Sequence, residues 1–163
     1  MHYPFGAHLK TFIPADFIVP MRLEHAQFIL RPLLITDVVK DYDAVMTSID
    51  HLQGVFGLDT QWPSPQLTIE QDMIDLGWHQ KEFQNRTSFA YTMMSPDESL
   101  CLGCTYIYPS TQQDHDAEAY CWVRKSHVAE LDQVLFETFK MWLKKDWPFK
   151  NIAFPGREPN SSQ

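Results

Sequence analysis

Basic residues are scarce: 13 Lys and Arg stand against 21 Asp and Glu, a formal net charge of −8. Nucleic-acid binding rests on clustered cations that neutralise phosphates, so this balance argues against a DNA or RNA partner. Long apolar runs are missing as well. No stretch nears the roughly 18 consecutive apolar residues of a membrane span, and the opening MHYPFGAHLK has no charged-then-apolar signal pattern. The expectation is a cytoplasmic protein with no membrane partner. Cysteine is sparse and odd in number, three in 163 residues, which argues against a disulfide framework and fits a reducing compartment. Internal repeats and low-complexity tracts are also lacking.

What remains is a chain of one-domain size with 44% hydrophobic residues, enough for a core without staples. Aromatics reach 13% with five Trp, more than an average core asks for, so part of that load is expected to line a pocket. Residues 1–27 hold Pro4, Pro14 and Pro20 among Tyr3, Phe5, Phe12 and Phe17, and predict an irregular arm packed on the body. Residues 28–154 form the domain and 155–163 a polar tail. Within the domain Phe28 to Leu33 predicts a strand. Thr36 is placed to cap a helix bearing Val38, Tyr42, Val45 and Ile49 on one face. Residues 50–66, with Gly54, Gly57, Pro63 and Pro65 interleaved with Val55, Phe56, Leu58 and Trp62, predict a loop that either covers a site or tucks onto the core.

Thr68 to Gln71 has the capping-box pattern and opens a helix carried by Ile69, Met73, Leu76 and Phe83 to about Asn85. Ser88 to Met94 and Leu100 to Tyr108 predict a hairpin, and Ala117 to Val123 a further alternating strand. A helix from about Ser126 to Asp146 presents Leu131, Leu135, Phe139 and Trp142, and Asn151 to Phe154 closes the order as a short strand. A strand-helix-strand return of this kind is a right-handed parallel crossover. The fold class is therefore α+β: a mixed, mostly antiparallel sheet with helices on both faces and one parallel strand-helix-strand crossover.

That order, with Phe28 to Leu33 opening the sheet and Ala117 to Arg124 leading into a long helix, resembles the GNAT superfamily of acyl-CoA-dependent N-acetyltransferases over about residues 28–154. Its most specific piece is the strand-loop-helix from Glu118 to Trp142. The family's loop reads Gln or Arg, two residues, Gly, one residue, then Gly or Ala; here Arg124, Lys125, Ser126, His127, Val128 and Ala129 stand there, with His127 in place of glycine. A helix N-terminus with unpaired N–H groups suits a phosphate. Read without the resemblance, the same residues simply begin a solvated helix.

The resemblance implies acetyl-CoA as donor substrate, pantetheine along Cys121, Trp122 and Val123, and pyrophosphate at Arg124 to Ala129. It also implies an unknown amine of a small molecule or peptide as acceptor. It offers Glu118 as a base and Tyr106 or Tyr108 as a phenol donor, each with a packing or surface role as the alternative. The family's later helix and strands have no counterpart after Phe154, so the arm or a second subunit is expected to cover that sheet edge, which makes a homodimer a candidate assembly. A GNAT-fold binding or regulatory protein without catalysis is the competing reading. No metal site is expected. Cys101 and Cys104 lie within one strand with only Cys121 besides; Asp114, His115 and Asp116 read as a solvated turn; and His51, His79 and His127 make no ligand pattern.

Overall fold

A computed structural model describes residues 11–159. Tyr3, Pro4 and Phe5 of the arm, and the tail from 160 onward, lie outside the described residues. Six strands, β1 (Leu23–Glu24), β2 (Ile29–Pro32), β3 (Phe89–Met94), β4 (Cys101–Pro109), β5 (Ala117–Val123) and β6 (Ile152–Ala153), form one sheet in sequence order. Every neighbouring pair is antiparallel except β5 and β6, which run parallel across α4 (Val128–Asp146). Helices α1 (Val38–Met46), α2 (Ile49–Leu52) and α3 (Ile69–Gln84) fill the chain between β2 and β3.

Alternation along β5 divides the core in two. Ala117, Ala119, Cys121 and Val123 turn to the α4 face, where Leu131, Leu135, Phe139 and Trp142 are buried as the 3.6-residue spacing predicts. Trp122 and Tyr120 turn to the opposite face, against α1, α3 and the loop between them. Each large apolar side chain so buried contributes about 1.5–3 kcal/mol. The two faces together need both helix layers.

Three local expectations are corrected. Thr36 does not cap α1: a 3-10 turn, Ile35–Asp37, comes first, and Asp37 accepts the Leu34 N–H at 2.9 Å while pairing in two-pronged fashion with Arg31. A charged, bidentate partner outcompetes a hydroxyl for that corner. Ile49 starts a separate short helix, α2. Ser126 does not cap α4 either, because a 3-10 turn over Lys125–His127 intervenes and Ser126 Oγ lies 2.8 Å from His127 Nδ1.

The arm keeps to irregular backbone over 11–22, packing Phe12 on Phe89 and Phe149 and Phe17 on Trp147. It then forms β1 against β2. It therefore covers the edge of the sheet opposite β6, and among the described residues no strand pairs with the outer side of β6.

Candidate active site

Strands β5 and β6 pair only at Ala117 with Ile152 and Glu118 with Ala153. The pairing stops there because β6 ends at Ala153, and among the described residues no strand partners the backbone of 119–123 on this side. Arg157 reaches the unpaired stretch. Its guanidinium donates to the Cys121 carbonyl at 3.2 Å, holds Asp132 on α4 through two bonds of 2.7 and 2.9 Å, and lies over the Phe136 ring. Where β5 gives way to α4, Arg124 is buried rather than turned toward the start of the helix. It donates to the Cys101 carbonyl, to Asp43 and to Thr47. Lys125 donates its backbone N–H to Ser48 and its ammonium to Asp50. His127 stands at the N-cap of α4 with no side chain capping the helix.

On the other face a cavity of about 280 Å³ opens between α1, α3, the loop 53–67 and β4. The loop is stapled down by Gln53 to the Pro63 carbonyl and by Tyr42 to the Leu67 carbonyl. Gly54 at φ +81 and Gly57 at φ +125 let it fold back, since these backbone conformations disfavour a side chain. It thus delivers Phe56 and Trp62 to the cavity wall, and Phe56 meets the rings of Tyr106 and Tyr120. Covering a site and tucking onto the core are here the same act.

Strand β4 contributes Tyr106 and Tyr108, stacked at 6.2 Å; Tyr106 accepts the indole N–H of Trp122 at 3.0 Å. Burial pushes both phenols well above the ordinary tyrosine value, so they keep their protons. His79 on α3 lies 5.4 Å from the Tyr106 ring, and burial holds its imidazole below the usual value against the pull of Asp75 and Glu82. It is neutral at neutral pH. Glu118, opposite Tyr108 in the ladder, accepts from Thr111 and Ser110 through Oε1 and from the Tyr120 phenol through Oε2 at 3.3 Å.

The structure therefore brings Tyr106, Tyr108 and Glu118 onto one face and sets Cys121, Trp122, Val123 and the 124–129 segment along the unpaired stretch and the start of α4. Asp41, Asp72 and Asp75 are cavity residues that sequence reasoning missed, and His79, read there only as making no metal-ligand pattern, joins them. Their signal was positional: Asp41 lies between Val38 and Val45, and Asp72 and His79 fall in register with Ile69 and Leu76, on helix faces otherwise apolar. The three cysteines are free and buried, and Asp116 receives the Lys150 and Asn151 N–H groups, anchoring β6. No group of metal-ligating side chains occurs among the described residues, and none of their helices is long and apolar enough to cross a membrane.

The sequence matches no family model, and no curated protein is similar enough to count as a relative. Solved structures do match. A ribosomal-protein-S5-alanine acetyltransferase from Vibrio fischeri aligns over 85% of this chain and 77% of its own at 13% identity, TM-score 0.66. A ribosomal L7/L12 alpha-N-protein acetyltransferase in complex with coenzyme A aligns over 78% and 68% at 14% identity, TM-score 0.58. A spermidine N-acetyltransferase chimera from Vibrio cholerae and its human counterpart aligns over 78% and 69% at 11% identity, TM-score 0.56. The chain has the GNAT acetyltransferase fold.

Proposed function

We propose that the protein is an acyl-CoA-dependent N-acetyltransferase that moves an acetyl group from acetyl-CoA to an amine of a small molecule or peptide. The observation that carries the reading is the stretch of β5 left unpaired by β6 beside the uncapped start of α4, the same segment that resembled the family's CoA loop. Acetyl-CoA would supply an activated thioester, held along 119–123 and by Ser126, His127, Val128 and Ala129. A helix start with no side-chain cap keeps N–H groups and a positive dipole end for an anion.

An acceptor amine must lose its proton to attack. His79 is suited to take it, being neutral, within the cavity and beside Tyr106. Glu118 is the alternative base, since Oε2 receives only the Tyr120 phenol. Tyr106 and Tyr108, held protonated, suit donation to developing negative charge rather than proton uptake.

A second reading has its own support: Arg157 already occupies the Cys121 carbonyl that a pantetheine amide would need, as expected of a GNAT-fold binding module without CoA. Calorimetric titration of acetyl-CoA into wild type and Arg157→Ala separates the two. Binding by wild type, with thiol release when amines are added, supports the transferase. Binding by Arg157→Ala alone supports the module.

A further inference from the structure

Three carboxyls line the cavity, Asp41, Asp72 and Asp75, and the two buried ones lack a counter-ion. Asp41 on α1 and Asp72 on α3 are 4% and 2% exposed. Burial raises both carboxyls above the ordinary value, and their closeness raises Asp41 further, so the two do not ionise together freely. Among the described residues no arginine or lysine pairs with either: Arg31 is taken by Asp37 and Glu98, Lys40 by the Glu98 carbonyl, and Arg124 by Asp43. Asp72 Oδ2 is buried and accepts no protein N–H or hydroxyl. Buried charge without a partner is costly, so proteins normally pair it. Aromatic rings complete the wall, with Phe56, Trp62 and Trp78 joining Tyr106. Ring faces attract cations, most strongly where water is excluded.

We infer that this cavity binds a compact organic cation: a primary ammonium carried on a small apolar or aromatic body. A primary ammonium is favoured over a quaternary one because the unpartnered Asp72 oxygen asks for an N–H donor. A compact body is required because about 280 Å³ falls just under the range that holds drug-sized ligands. The cation's charge meets the acidic wall that Asp41, Asp72 and Asp75 form together. As an acceptor site the cavity rests on the transferase reading; as a binding site it does not.

The test uses the whole protein without acetyl-CoA and two probes of the same shape, benzylamine and uncharged benzyl alcohol, titrated by calorimetry and by NMR. Benzylamine is expected to bind at least about tenfold more tightly than the alcohol, and Asp72→Asn to erase that preference. Phe56→Ala should weaken both probes alike. Should Asp72→Asn fail to fold, Asp41→Asn carries the same comparison. Equal affinity for the two probes, no benzylamine binding at about 10 mM, or an undiminished preference in a folded carboxyl variant would overturn the proposal. Benzylamine that binds but is never acetylated supports the cation site while removing the transferase reading.

Discussion

At the scale of single residues, the buried ionisable groups govern how the protein responds to pH and to reagents. Burial and the neighbouring Asp72 raise Asp41 well above the ordinary carboxyl value. A group with a raised folded-state value binds its proton more tightly when native, so its ionisation costs stability as pH climbs from the unfolded value through the folded one. Asparagine imitates the protonated form. Asp41→Asn should therefore match wild type in thermal unfolding near pH 4, about the unperturbed carboxyl value, and unfold at a higher temperature than wild type in mildly alkaline buffer. A gap that stays constant across pH would mean that Asp41 does not titrate in this way. Burial likewise pushes the Cys101 and Cys121 thiols up to about 12 and Cys104 well above its usual value. A thiol reagent should find none of the three in the native protein and all three in denaturant, because the thiolate is the reactive form.

At the scale of elements, β4 and β5 come together more closely than side chains allow. A Cβ on Gly103 would lie 2.0 Å from the Trp122 carbonyl oxygen, and the atoms it meets are β5 backbone, which leaves nothing flexible to yield. Gly103→Ala should cost about 3 kcal/mol or more, read from denaturant midpoints, whereas alanine at exposed Gly156 meets no atom within 4 Å and pays only for its φ of +80. The elements themselves were legible where period and burial agree. The alternation of 117–123 and the apolar stripe of α4 each bury against one face, so pattern and structure coincide, as do the 88–108 hairpin and Thr68, which accepts the Gln71 N–H at 3.1 Å. β1 was not foreseen, for two residues carry no period. The cavity was least legible of all. Its carboxyls come from helices 31 residues apart in sequence, and an aspartate on a helix reads as solvated until the facing helix is known. Arg124 reads as a phosphate ligand for the same reason: its partners Asp43 and Thr47 lie some eighty positions upstream.

At the scale of the whole molecule, the arm and the end of α4 meet in an aromatic cluster centred on Trp147, which touches Phe17, Phe89, Tyr91, Trp142 and Phe149. Phe17→Ala should lower stability by about 2 kcal/mol, less than for a fully buried ring since Phe17 is half-buried, and should shift the tryptophan emission. An unchanged spectrum would show that the arm is not seated there. A further long-range tie joins the turn before α4 to the segment 43–50. Arg124 grips Asp43 and Thr47, the Lys125 N–H meets Ser48, and the Lys125 ammonium meets Asp50. Helix α1, which supplies Asp41 to the cavity, is thus clasped to the loop that precedes α4. The clasp gives the proposed cation site and the proposed anion site a shared element, and any coupling it carries is reciprocal: whatever fraction of a unit in log affinity a cation in the cavity adds to an anion at α4, the anion returns to the cation. Coenzyme A titrated with and without saturating benzylamine, in wild type and in Lys125→Ala with Ser48→Ala, should show that reciprocity in the first protein and a smaller mutual effect in the second, where only the Arg124 part of the clasp remains.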